Sequence, residues 1–181
     1  MGYRADLFYQ VDRAELRLCR RINRMGNQLS VQRFFCAISR LGDGVFWYLM
    51  IMSLPLLMGS AGAWSAFHIA ATGLVTTVLY SALKAVMVRE RPCISYPDIT
   101  AFTAPLDRYS FPSGHTMNAV GFAVMFSATV PALMWIVWPF TLLVAASRVI
   151  LGMHYPSDVI MGAFLGALVA LGSLTLFPIS F

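Results

Sequence analysis

Hydrophobic positions follow two different rhythms along this chain. Between residues 7 and 29, Leu7, Val11, Ala14, Leu18, Ile22, Met25 and Leu29 recur at spacings of three and four, while Arg13, Arg17, Arg20, Arg21 and Arg24 fall mostly elsewhere on the wheel. That pattern predicts an amphipathic helix lying on a surface. A second short helix, Val31 to Leu41, leads through a Gly42-Asp43-Gly44 turn into the remainder. From there the periodicity gives way to long apolar runs at about Gly44 to Ser60, Trp64 to Val88, Thr116 to Val130, Leu133 to Leu151 and Val159 to Phe177. Several fall below the roughly 20 residues that cross a bilayer core unaided. Tight connections at Gly59 to Ala63 and Val130 to Ala132 make successive helices antiparallel neighbours.

Composition turns these runs into a membrane assignment. At 59% hydrophobic residues and a mean hydropathy of +0.71, the 181-residue chain is too apolar for an ordinary soluble domain. The expected fold is an all-α polytopic membrane bundle of about five transmembrane helices behind an N-terminal amphipathic helix. Residues 1–43 form the interfacial part and 44–181 the transmembrane domain. The first 40 residues carry eight Arg and no uninterrupted apolar run, so no segment resembles a cleavable signal peptide. Those arginines suit anionic lipid headgroups, or a helix packed on the bundle with solvated charges, and the two readings are compatible. Cys19, Cys36 and Cys93 have no metal-ligand spacing and leave one unpaired in any disulfide scheme.

Against this apolar background three polar segments stand out: Lys84 to Pro92, Pro112 to His115, and Ser147 to Asp158. A lipid-facing helix has no cheap use for Lys, Arg or His, so such residues are functional candidates. Lys84 and Arg91, seven apart, share one face if the helix runs to Pro92, and two fixed cations suit a phosphate. Taken alone, snorkelling to headgroups explains them as well, and Arg89 and Glu90 are read that way. Ser113 and Gly114 precede an apolar helix, offering a hydroxyl and open N–H groups at its positive end, and His115 can supply a proton there. Ser147 and Arg148 close the fourth run. Asp158 follows His154 by four residues, placed to accept from one imidazole nitrogen and leave the other as a nucleophile.

Together the segments resemble the three-part signature of the type 2 phosphatidic acid phosphatase superfamily, which includes lipid phosphate phosphatases and vanadium haloperoxidases. Lys84, Arg91 and Pro92 match the first part, Ser113, Gly114 and His115 the second, and Ser147, Arg148, His154 and Asp158 the third. The resemblance implies that His154 attacks phosphorus, oriented by Asp158, and forms a phosphohistidine. It implies that His115 protonates the leaving oxygen and then helps activate water. Lys84, Arg91, Ser113, Gly114, Ser147 and Arg148 would hold the phosphate, with no metal or other cofactor.

The implied substrate is an amphiphile: a polyprenyl diphosphate such as undecaprenyl diphosphate, phosphatidylglycerol phosphate, phosphatidic acid or lipid A phosphate. Relatives devoted to undecaprenyl diphosphate often carry Asp where this chain has Gly114. Membrane lipids, anionic ones above all, are the expected partners, and nucleic acid is not. A lipid phosphotransferase using the same phosphohistidine is the alternative, and a non-enzymatic anionic-lipid scaffold is disfavoured by the intact His–Asp pair. His68 is read as a packing or interhelical hydrogen-bonding residue. Gly162, Gly166 and Ala170 form a small-residue stripe for packing within the bundle, which leaves the oligomeric state open. Two spans separate the N-terminal helix from the site, so both lie on one side of a bacterial cytoplasmic membrane. The arginines favour the cytoplasmic side; similar phosphatases mostly face outward, the side expected here.

Overall fold

The structure is a computed structural model that describes residues 2–105 and 107–178, with side chains from residue 10 onward. Leu7 of the predicted stripe therefore lies outside the described side chains. Seven α-helices follow in order: α1 Gly2–Asn23, α2 Leu29–Arg40, α3 Phe46–Met87, α4 Pro92–Ser95, α5 Gly114–Thr129, α6 Met134–Ile150 and α7 Pro156–Leu176. The protein is an all-α polytopic membrane bundle. Among the described residues three stretches are long and apolar enough to cross a bilayer, Leu29–Met87, Pro131–Ile150 and Pro156–Leu176, rather than the five expected.

The difference lies in α3 and α5. The two runs that the sequence separates share the 42 residues of α3, and Gly59 interrupts them with φ 60°, ψ −134°. This is a left-handed position that only glycine occupies at no steric cost. Trp47 and Gly73 both pack on the ring of Phe122, Trp47 at 5.2 Å between centroids. A straight helix would hold residues 26 apart at about 40 Å, so α3 reverses at Gly59 into two arms, 46–58 and 60–87. α5 is only 16 residues long, with ten of them buried between α3, α6 and α7.

Lipid tails are as apolar as the side chains, so close packing rather than hydrophobic expulsion holds the helices together. Trp47, Phe122, Phe126 and Phe140 interlock around α5. A β-carbon on Gly162 would lie 2.6 Å from the Ser113 carbonyl oxygen, and one on Gly166 would collide with that of Met117. The small-residue stripe therefore packs α7 against α5. His68 hydrogen-bonds Ser173 at 2.8 Å, joining α3 to α7 beside an apolar groove of about 900 Å³ at the end far from the polar segments.

α1 lies along the polar end. Of its described side chains Val11, Asp12, Glu15, Leu16, Cys19, Arg20, Ile22 and Asn23 are buried or half-buried, while Arg13, Ala14, Arg17, Leu18 and Arg21 are exposed. Ala14, Leu18, Met25 and Leu29 of the predicted apolar stripe thus face outward, Val11 and Ile22 are half-buried, and Asp12 and Glu15 lie on the docked side. Asn23 donates to the carbonyls of Thr100 and Ile150, both at 2.9 Å, and accepts from Thr100 N–H. The Gly42-Asp43-Gly44 turn is part of a single π-turn, Leu41–Val45, with Gly44 at φ 148°. All three cysteines are free.

Candidate active site

A cavity of about 450 Å³ opens where α3 ends and α5 and α7 begin. Lys84, Arg91, Gly114, His115, Arg148 and His154 line it together with Ser39, Asp43, Tyr80 and Asp107. Lys84 comes from the last turn of α3, but Arg91 does not share its helix. The helix stops at Met87, Val88 takes a left-handed conformation (φ 50°) that a β-branched residue rarely adopts, and Arg91 is extended (φ −73°, ψ 149°). Pro92 forces that extension through its ring and then opens α4. The expected single face is replaced by a bridge: Lys84 Nζ donates to Asp107 Oδ2 and Arg91 Nη2 to Oδ1, each at 2.8 Å. Burial pushes the Asp107 carboxyl up, but Lys84 and Arg91 outweigh it and hold the group below the ordinary carboxylate range.

Ser113 caps α5, its Oγ accepting from Thr116 N–H at 3.4 Å, and its own N–H donates to the Asp158 carbonyl at 3.0 Å. That bond joins the second segment to the start of α7. Gly114 lies against Tyr80, whose ring a β-carbon there would meet at 3.0 Å. His115 Nε2 pairs with the carboxylate of Asp43.

The third segment is a turn held by one carbonyl. Met153 and His154 N–H both donate to Arg148 O, at 3.0 and 3.1 Å, and Gly152 supplies the positive φ of 77°. His154 is 2% exposed. Arg91 Nη1 lies 3.2 Å from His154 Nε2. Because a guanidinium only donates, Nε2 must accept, which places the proton of the neutral ring on Nδ1. Nδ1 sits 3.6 Å from Asp158 Oδ2, too long for the expected hydrogen bond. That oxygen is taken by Tyr155 N–H at 2.9 Å, and Arg89 holds the other. Burial, then Arg148, Arg91 and Lys84, keep the His154 imidazolium unfavourable, so its pKa lies well below 6.5.

Arg148 is buried. Nη1 donates to Ser39 Oγ at 2.5 Å, while Nε has no partner. Ser147 turns its hydroxyl to its own helix, donating to Val144 O at 2.6 Å, outside the cavity lining. The snorkelling assigned to Arg89 is wrong: its side chain is 1% exposed and ion-paired to Asp12, Glu15 and Asp158. Glu90 instead pairs with Arg108 near the surface. Asp43, Asp107, Ser39 and Tyr80 escape sequence reasoning because each is ordinary in its local pattern; the acidic residue between Gly42 and Gly44 is the one visible hint. Among the described residues no group of three or more His, Cys, Asp or Glu side chains is placed to hold a metal ion.

The sequence profile of the PAP2 superfamily matches residues 61–180. This chain belongs to the PAP2 superfamily. It is therefore an integral membrane protein of a phosphatase superfamily. The PAP2 chain is 34% identical over 128 residues to a decaprenylphosphoryl-5-phosphoribose phosphatase of Mycolicibacterium smegmatis, a match covering 70% of this chain and 68% of that protein. It is 39% identical to an undecaprenyl-diphosphatase of Sulfolobus acidocaldarius over 51% of this chain but 46% of the relative, so it spans about half of that protein's length. Among solved structures, LpxE of Aquifex aeolicus superposes with a TM-score of 0.78 at 26% identity, covering 90% of this chain and 95% of that one. A phosphatidylglycerolphosphate phosphatase of Bacillus subtilis, at 24% identity and a TM-score of 0.71, shares the fold.

Proposed function

We propose that this PAP2 protein is a metal-independent lipid phosphate phosphatase working through a phosphohistidine on His154. The supporting observation is the arrangement around His154 Nε2. Arg91 sits at 3.2 Å, and Lys84 and the unpartnered Nε of Arg148 share the same cavity. A phosphoryl group entering there displaces Asp107 from Lys84 and Arg91 and frees Nε2 to attack phosphorus. His115 gives its proton to the departing lipid oxygen, then takes one from the water that attacks the phosphohistidine, releasing inorganic phosphate and restoring His154. The three cations and the Gly114 N–H, at the start of α5, carry the charge that develops on the phosphoryl oxygens. Ser113 and Ser147 hold the ends of α5 and α6 that present these groups.

The reversal at Gly59 supports five passes, counting both arms of α3 with α5, α6 and α7, behind interfacial helices in residues 1–43. The docking of α1 at the cavity end supports placing the N-terminus and the site on one side of the membrane. We place that side outward in a bacterial cytoplasmic membrane; labelling of Cys93 in intact cells reads it directly. The relatives favour an amphiphilic phosphate. A polyprenyl phosphate or diphosphate and a glycerophospholipid phosphate are the two leading substrates.

The decisive experiment is phosphate release by purified protein across a panel of undecaprenyl diphosphate, phosphatidylglycerol phosphate, phosphatidic acid and lipid A phosphate, with trapping of 32P on the protein by quenching in alkaline detergent. Inorganic phosphate with an acid-labile, base-stable label on His154 is expected. A labelled lipid acceptor without free phosphate makes the chain a phosphotransferase, and 32P that never reaches the protein refutes the covalent route.

A further inference from the structure

The cluster around Arg89 ties the N-terminal helix to the proposed catalytic pair. Arg89 donates through Nε and Nη2 to Asp12 Oδ1, at 2.9 and 2.6 Å, and through Nη2 to Glu15 Oε1 at 3.2 Å. Its Nη1 reaches Ser157 Oγ at 2.7 Å and Asp158 Oδ1 at 2.5 Å, and its guanidinium carbon lies 4.0 Å over the Tyr155 ring. Glu15 also accepts from the Ser157 N–H at 2.7 Å and its hydroxyl at 2.6 Å, fastening α1 to the first turn of α7. The acidic group thus satisfies open donors at a helix N-terminus.

We propose that Arg89, clamped by Asp12 and Glu15, is a positioning residue that fixes the Asp158 carboxylate and through it the ring of His154, making α1 part of the active-site support. This rests on the reading of His154 as nucleophile with Asp158 behind it. Three features carry it. Asp158 is fully buried, and its side chain is held on one oxygen by Arg89 and on the other by Tyr155 N–H. Losing Arg89 leaves one oxygen short of a charged partner, so the carboxylate can turn away from Nδ1. Because Arg89 is shared among three carboxylates, one positive charge does not cancel Asp158, which keeps negative potential toward the Nδ1 proton. Finally, the extended segment after Val88 touches both members of the pair, Arg89 on Asp158 and Arg91 on His154 Nε2.

The test uses the full chain in detergent with 15N-labelled histidine, whose ring signals from His68, His115 and His154 report tautomer and environment separately. The variants are Arg89→Lys, which keeps the charge but loses the planar fork, and the double variant Asp12→Asn with Glu15→Gln. In both, the His154 signals should move while those of His68 stay in place. With phosphatidic acid in mixed micelles, kcat should fall about tenfold and KM stay within about twofold, the pattern for a lost transition-state contribution. Unchanged His154 signals and kcat in folded variants overturn the proposal, as does a change confined to KM. Asp12→Asn alone, which spares the α7 contacts of Glu15, decides the matter if the stronger variants do not fold. Should wild type release no phosphate from any lipid while the His154 signals still respond, the phosphatase reading fails and the coupling stands.

Discussion

Two buried arginines near His154, one lining the cavity and one outside its lining, do opposite things with their charge. Arg89 is surrounded by Asp12, Glu15 and Asp158, so its desolvation is compensated within the protein. Arg148, 6% exposed, has a serine hydroxyl on one nitrogen, no partner on Nε and, among the described residues, no carboxylate within ion-pair distance. An unmatched guanidinium beside a cavity is an anion site before any anion arrives. A matched one beside a carboxylate holds that carboxylate in place. On the proposed reading the same residue type serves binding in one case and support in the other, and only the partners distinguish the roles.

The largest break in this arrangement is removal of His154, the proposed nucleophile. His154 is buried, so His154→Asn is a milder packing change than His154→Ala. Phosphate release is expected to fall by about 10⁴-fold or more, with no 32P retained on the protein and an unchanged circular dichroism melt. Release near the wild-type rate would mean that the cavity works by another route.

The comparison of the arginines is tested next by Arg148→Gln. Losing a cation that meets developing charge should lower kcat/KM by about 10²–10³-fold. Because this charge has no carboxylate to strand, the melting temperature should hold or rise, whereas Arg89→Gln strands three carboxylates and should lower it. Equal destabilisation by both would erase the distinction. Titration reads the same cations: they and burial keep His154 neutral, so the acid limb of kcat/KM should lie below pH 6.5, and unfolding should become easier as pH falls through the depressed pKa. An acid limb above that value would place His154 outside the influence of Arg148 and Arg91.

The sequence pointed to the residues that line the cavity more directly than to the course of the helices, and the reasons are local. His154, Arg148, His115, Lys84 and Arg91, which share one cavity with Gly114, were visible because each is an unusual residue in an apolar setting. Helix starts were legible where Pro156 and the Ser113 cap mark them, whereas Pro92, read as the end of the helix carrying Lys84, opens α4 four residues beyond the C-cap of α3. The left-handed Val88 was not, since nothing in its side chain announces such a backbone, and with it went the shared face of Lys84 and Arg91. Arg89 was misread for a related reason: its partners Asp12 and Glu15 lie more than 70 residues away. Asp12 and Glu15 looked like the minor charges of an arginine-rich surface helix, although they face the bundle. Spacing along the wheel separates faces without saying which one is buried.

Vanadate and chelation sharpen the binding side. Orthovanadate, geometrically close to five-coordinate phosphorus, should bind the Arg148 side of His154 and raise the melting temperature. At about a hundred times its Kd the gain is about 2.7 kcal/mol. Arg148→Gln should lose that gain, and EDTA should leave activity intact. Activity lost in EDTA and restored by Mg²⁺ would overturn metal independence.

Asp107 is a smaller effect. Its carboxylate occupies Lys84 and Arg91, yet it is 43% exposed, so the pair contributes at most about 1 kcal/mol. Asp107→Asn should lower KM for a lipid phosphate by at most about fivefold with kcat little changed. A rise in KM would show that the carboxylate shapes the site instead of competing for it.

The smallest effect belongs to the outer face of α1, as against its inner face. Arg17, Arg21 and Arg24 are exposed, whereas Arg20 pairs with Asp98 and is best left intact. The transmembrane helices already hold the protein in the bilayer, so on the proposed reading these three charges act on the concentration of anionic headgroups near the cavity. At about 1 kcal/mol per charge close to the surface, weakened by salt, that enrichment is modest. Replacing all three with Gln should reduce turnover on anionic vesicles by about twofold and leave hydrolysis of a short soluble phosphate ester unchanged, and added salt should narrow the gap. Equal loss on both substrates would mean that the arginine face, like the acidic face opposite it, acts on the active site itself.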